Sequence, residues 1–197
     1  MRDSMLPEHL VPRIRTTEEY DFQNNCILIT GATGFVGAFV LHEILRNTTA
    51  ATKIFCAVRA RDPQEGLKRM VEVFQAYDLD VPNLARVDVI VANLEEPKFG
   101  LCDSEYWALA STVDTIYHLG AFVNHLLPYH QLRQANVMGI LELLNFAAVD
   151  RPKLLNIVSS LSVFSKEQFH HQKITEYDCT DIPFLSSLGG YGLTKWV

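Results

Sequence analysis

Apolar residues fall along this chain in blocks that alternate between two periods. The run Cys26-Ile27-Leu28-Ile29-Thr30 is almost unbroken, and shorter apolar runs cover 53–58, 87–92, 114–119 and 153–158. Runs of that kind suit strands buried on both faces of a sheet. Between them lie stretches with helical spacing at 35–46, 63–77, near 103–110 and over 128–149. Pro128 stands where the long helix would open, and Asp150 with Pro152 closes it before the next strand. Strand and helix therefore alternate, which predicts an α/β fold: a doubly wound parallel sheet with helices on both faces. Residues 1–24 break this rhythm. They are polar, interrupted by Pro7 and Pro12, and read as an N-terminal arm or linker ahead of one domain over 25–197.

Composition narrows the function classes. A chain of 197 residues with 48% hydrophobic and 20% charged residues is of ordinary single-domain size and make-up. No apolar run approaches the roughly 20 residues that span a bilayer, and the first residues, Met1 to His9, lack the apolar core of a signal peptide. A cytosolic (cytoplasmic) protein with no membrane partner is expected. The net charge of −6, with basic residues scattered rather than striped, argues against nucleic acid as a partner. The four cysteines show no C-x-x-C spacing, and Cys26 and Cys56 fall in expected strands, so all four read as reduced thiols. His170-His171 has no carboxylate or cysteine at ligand spacing, so a polar loop and no metal is expected there.

Candidate chemistry begins at the end of the first strand. Gly31, Gly34 and Gly37 separate that strand from the helical stretch that follows. In that context the spacing has a mechanism: Gly31 permits a tight turn, Gly34 lets backbone approach a pyrophosphate, and Gly37 lets helix and strand pack closely. The helix N-terminus would aim its N–H groups and partial positive charge at the phosphates. The bland alternative is a tight strand–helix turn without a ligand. Arg59 closes the second strand, about 20 residues past the turn, where an NAD-binding protein places an acid on the ribose diol; arginine suits a 2′-phosphate and so NADP.

At the other end stand Tyr191 and Lys195, four residues apart and so on one helix face, with Ser159-Ser160 closing the last apolar run. An ammonium one turn from a phenol favours the ionised phenol, which makes Tyr191 a usable proton donor near neutral pH. Taken singly, Tyr-x-x-x-Lys is also a common solvated helix face. Its weight comes from standing downstream of the glycine turn and the serine-ended strand.

With these residues in hand, nearly the whole chain resembles the thioester reductase domains that end nonribosomal peptide synthetases and carboxylic acid reductases. These are a branch of the extended short-chain dehydrogenase/reductases, whose glycine spacing is also G-x-x-G-x-x-G. Residues Ile27 to Gly37 resemble the family's cofactor loop, Cys56-Ala57-Val58-Arg59-Ala60 its second strand, and Tyr117 to His125 its fourth. Pro128-Tyr129 followed by Asn136-Val137-Met138-Gly139 is the most family-specific stretch.

The resemblance implies a Rossmann-like oxidoreductase that uses NADPH to reduce a thioester held on phosphopantetheine by an upstream carrier domain. An aldehyde would be released, with the alcohol reached by a second round. It implies that Thr33, Gly34, Phe35 and Val36 touch the pyrophosphate, and Arg59 and Arg69 the 2′-phosphate. Asn93 and Leu94 would flank the adenine, Gly120, Ala121 and Phe122 would underlie the nicotinamide ribose, and Lys195 would hold that ribose beside Tyr191. Ser160, rather than Ser159, would be the catalytic hydroxyl beside Tyr191 and Lys195, and Asn136 would help order the site and its proton path. Asn93 departs from the family's usual aspartate. The alternatives are a nucleotide-sugar epimerase or dehydratase of the extended short-chain family, or a cofactor-binding module without turnover. By resemblance, further strands and a C-terminal substrate subdomain should follow Val197, so the chain is expected to be a fragment cut just after Tyr-x-x-x-Lys. It should bind cofactor, be inactive, and have a missing or displaced turn around 186–197.

Overall fold

Five parallel strands carry the fold of the computed structural model, which describes residues 2–7, 10, 26–80 and 84–197. They are β1 (Cys26–Thr30), β2 (Lys53–Val58), β3 (Val87–Val91), β4 (Thr115–His118) and β5 (Leu154–Ile157). Their order is β3-β2-β1-β4-β5, so the chain winds outward from β1 on one side and then on the other. In this register Ile29 of β1 lies opposite Cys56 of β2 and Tyr117 of β4.

Every residue of the central strand β1 is buried, and its alternation divides the core in two. Ile27 and Ile29 pack with Ala38, Leu41 and Leu45 of α1 (Phe35–Asn47) and with Met70 and Phe74 of α2 (Pro63–Ala76). Cys26 and Leu28 pack on the opposite face. There they meet Tyr106, Leu109 and Ala110 of α3 (Asp103–Thr112) and Leu143 and Phe146 of a later helix. Phe99, Tyr106 and Phe146 meet at ring separations of 5.3–6.0 Å. Each such side chain contributes roughly 1.5–3 kcal/mol by leaving water. Burial also holds the Cys26 and Cys56 thiols protonated, pushing them up to about 11 and about 12.

Two expected elements take a different form. The long helix over 128–149 is three pieces: α4 (Tyr129–Arg133) with Pro128 as its N-cap, a π-helical turn over Gln134–Met138, and α5 (Gly139–Ala148). The Gly139 N–H bonds the Gln134 carbonyl, the i to i+5 pattern of a π turn, and Asn136 lies within it. Around 186–197 the expected gap or displacement is replaced by regular structure: a 3₁₀ stretch over Ile182–Leu188 leads into α6 (Gly189–Trp196). Packing rather than length holds this short helix.

The chain divides into two compact units. One comprises Met1–Glu8, Ala121–Leu141 and Ser159–Val197; the other, which carries the sheet, comprises His9–Gly120 and Glu142–Val158. Of the expected arm over 1–24, only residues 2–7 and 10 are described, and the rest lies outside the described residues. Residues Arg2–Ser4 form a 3₁₀ turn within the first unit. There the Asp3 carboxylate accepts from Tyr129 Oη at 2.6 Å and from Arg133 Nε at 2.6 Å. Among the described residues no helix is long and apolar enough to cross a membrane.

Candidate active site

In the sheet unit the glycine turn is built as its spacing requires. Gly31 has φ +79°, a region open to glycine, and a Cβ there would lie 2.5 Å from the Gly120 nitrogen. A Cβ on Gly37 would sit 1.9 Å from the Gly31 carbonyl oxygen, so this glycine is what lets α1 start against the turn. Gly34 is the exposed N-cap of α1, and no side chain caps the helix. Its first turn carries no acid, and Phe35 and Val36 are exposed. The result is a helix N-terminus open to an anion. Thr33 lies in the turn itself. Thr30 stitches the turn to β4, since its hydroxyl accepts from the Gly120 N–H at 3.3 Å and lies 2.7 Å from His118 Nδ1.

Beyond the ends of β2 and β3 an open pocket of about 310 Å³ is lined by Arg59, Ala60, Val91, Asn93, Glu96 and Phe99, among others. Arg69 donates to the Arg59 carbonyl, which brings the two expected arginines together. Leu94 does not line this pocket; it packs against the core that holds α3. A carboxylate that sequence reasoning passed over stands here as well: Glu95 Oε1 lies 3.3 Å from Arg59 Nη1.

The other unit gathers Asn136, Ser160, Tyr191 and Lys195. Tyr191 is buried on α6, and Lys195 follows one turn later. Burial alone moves the Lys195 ammonium below its ordinary value of 10.5. Ser160 caps a 3₁₀ turn over Leu161–Val163, its hydroxyl oxygen accepting from the Ser162 N–H at 3.1 Å, so its own O–H can still be directed at a substrate oxygen. Asn136 is only 2% exposed, and its amide is used for fastening. Its Oδ1 accepts from the Phe122 N–H at 2.7 Å, and its Nδ2 donates to the Phe122 carbonyl and to Thr194 Oγ1 at 3.0 and 3.1 Å. Thr194 in turn donates to the Tyr191 carbonyl at 2.8 Å. Asn136 thus ties the Phe122 backbone to the helix of Tyr191. Ala121 and Phe122 are both exposed.

Two glycines seat that helix. A Cβ on Gly190 would lie 2.1 Å from the Leu127 carbonyl oxygen, and one on Gly192 would lie 2.4 Å from that of Ser162. Gly192 therefore lets Tyr191 and the Ser160 turn share one neighbourhood. His125 lies edge-on to Tyr191 at 5.1 Å between ring centres, and Trp196 Nε1 donates to the Thr180 carbonyl at 3.0 Å. Sequence reading missed these supports, although Gly-Gly-Tyr-Gly around the tyrosine is an available signal for close packing. Among the described residues no group of three or more His, Cys, Asp or Glu converges as a metal site.

Comparison with known proteins identifies the family. Residues 29–197 match the family described as "Male sterility protein". A linear gramicidin synthase of Brevibacillus parabrevis is 38% identical over 95% of this chain and 4% of its own length. The L-2-aminoadipate reductase large subunit of Candida glabrata is 37% identical over 86% of this chain and 13% of its own. The crystal structure of the terminal R domain from the myxalamid PKS-NRPS pathway superposes with a TM-score of 0.84 at 35% identity. That match covers 99% of this chain and 49% of the R domain, so the chain spans about half its length. UDP-glucuronic acid 4-epimerase of Bacillus cereus, at 22% identity and a TM-score of 0.60, shares the fold alone. The match over 29–197 makes this chain a member of the Male sterility protein family, with the Rossmann-like fold of the extended short-chain dehydrogenase/reductases.

Proposed function

We propose that this chain is the cofactor-binding and proton-donating part of an NADPH-dependent reductase that takes a carrier-bound acyl or peptidyl thioester to an aldehyde. The observation that carries this reading is the seat of Tyr191: a buried phenol one turn from a half-buried lysine, on a helix whose Gly192 abuts the Ser160 turn. The open N-terminus of α1 and the glycine cradle fit a pyrophosphate, and Arg59 fits a 2′-phosphate. NADPH bound there would supply the hydride for the thioester carbonyl carbon.

The chain's own residues act on the oxygen. The Ser160 and Tyr191 hydroxyls donate hydrogen bonds to it as negative charge grows, and the Tyr191 proton passes to it. Lys195 stabilises the charge left on the phenol oxygen and holds the ribose beside it. Asn136 and Thr194 keep α6 in register with the Phe122 backbone. The resulting hemithioacetal breaks its C–S bond, giving the aldehyde and the carrier thiol, and a second round on that aldehyde gives the alcohol. The nonribosomal peptide synthetase relatives support an upstream carrier domain bearing phosphopantetheine as the partner.

The test is NADPH oxidation by the full-length parent protein with acyl-pantetheine thioesters, aldehyde being trapped as it forms. Thioester-dependent oxidation that falls about 10²–10⁴-fold in Tyr191→Phe supports the proposal. Epimerisation of a UDP-sugar with no thioester-dependent oxidation overturns it.

A further inference from the structure

Where the proposed reading has Arg59 contact a 2′-phosphate, the protein already offers that guanidinium a carboxylate. Glu95 is held there by a turn that three hydrogen bonds fix. The Asn93 N–H donates to the Phe99 carbonyl at 2.9 Å, the Glu96 N–H to the Asn93 carbonyl at 3.0 Å, and the Glu95 N–H to Asn93 Oδ1 at 3.1 Å. Asn93 Nδ2 also donates to Glu96 Oε1 at 2.9 Å, which draws that second carboxylate toward Asn93. On the other side, Arg59 is fixed at the end of β2, with Arg69 donating to its carbonyl. Arg59 is 71% exposed in its side chain and Glu95 35% exposed, so the pair stands open to an incoming anion rather than sealed in the core.

We infer that Glu95 is a specificity-determining residue: it serves as an internal stand-in for the 2′-phosphate on Arg59, which NADPH must displace and NADH need not. This rests on the proposed role of Arg59. The physical consequence is a muted preference for the phosphorylated cofactor, because binding it exchanges one anion on Arg59 for another. Asn93 shapes this device, since its side chain sets the Glu95 backbone while adding no charge of its own.

Adenosine 2′,5′-bisphosphate and 5′-AMP isolate the effect, because they differ only in the 2′-phosphate and do not engage the nicotinamide end. Calorimetric titration of the full chain with these two, and with NADPH and NADH, is the experiment. Glu95→Gln keeps the backbone hydrogen bond of the turn and removes the charge. It should tighten the bisphosphate and NADPH by up to about fivefold, the upper end for an exposed ion pair, and leave AMP and NADH unchanged. In an Arg59→Ala background the gain should vanish. Unchanged bisphosphate affinity, an equal gain for AMP, or a gain that persists without Arg59 would overturn the inference. If Arg59→Ala has no effect on NADPH in the parent chain, the cofactor reading itself falls and takes this inference with it. If Arg59→Ala weakens NADPH and Glu95→Gln changes nothing, the inference alone is lost.

Discussion

Arg59 is held in place by its backbone and left open at its guanidinium, with the side chain 71% exposed. A hydrogen bond to a charged group is worth about 1.5–3 kcal/mol, but an exposed one already paired with Glu95 falls toward the lower end. Arg59→Ala should therefore weaken NADPH binding by about 1–2 kcal/mol with little change for NADH, read by calorimetry with both cofactors. Lys195 differs in kind, since burial and not a partner's charge lowers its pKa, so its ammonium is costly to keep and correspondingly responsive to an anion beside it. The residues proposed to carry the chemistry were singled out from the sequence, because glycine, tyrosine, lysine and arginine stand at spacings that follow strands and helices. Their counterparts were not. Glu95 reaches Arg59 from 36 residues away, and Thr194 meets Asn136 from 58 away, pairings that leave no period in the chain.

At the scale of elements, α6 is the place where local and tertiary preferences oppose each other. It is 8 residues long and contains three glycines, a poor helix by propensity alone. Yet Gly190 and Gly192 are what allow it to approach the Leu127 and Ser162 carbonyls, and Trp196 and Thr194 fasten its far turn. Replacing Gly192 with alanine gains about 1 kcal/mol of helix propensity. It also drives a Cβ to 2.4 Å from a backbone oxygen that has little room to yield. Overpacking of that kind costs up to about 3 kcal/mol, so Gly192→Ala should lose about 2 kcal/mol net. A melting temperature lower by about 4–8 °C would register it. Binding of adenosine 2′,5′-bisphosphate, which uses only the sheet unit, should not change. An unaltered melting temperature would mean that the helix is not seated through this glycine. The spacing of Tyr191 and Lys195 announced the helix but not its seat, and the π turn at Asn136 lay hidden inside a period that reads as one continuous helix.

For the whole molecule, the doubly wound parallel sheet followed from alternation because each amphipathic crossover must cover a face of the sheet, and the observed bounds of β1 to β5 lie within a residue or so of the apolar runs. The division into two units was not legible, since the segments after β4 and β5 carry loops and short helices whose periods are too brief to declare a separate body. A long-range tie in the unit without the sheet joins Asp3 to Arg133, 130 residues apart, with Tyr129 as a further donor. These donors hold the Asp3 carboxyl well below the ordinary carboxylate value of 3.8, the Arg133 hydrogen bonds foremost, while burial and the same carboxylate push the Tyr129 phenol up to about 12. A carboxyl whose folded pKa lies below its unfolded one binds fewer protons when folded. Its contribution to stability is thus complete above the unfolded value and is lost as pH falls below it. The fastening of the first residues should therefore be constant from neutral pH down to about pH 4 and weaken only in stronger acid. Carbon-13 titration of the Asp3 carboxyl tests this directly: it should remain ionised at pH 3 in the native chain, and Arg133→Ala should move its midpoint up toward the ordinary value. A native midpoint already near 3.8 would mean that Asp3 does not hold the N-terminal turn to α4 in solution.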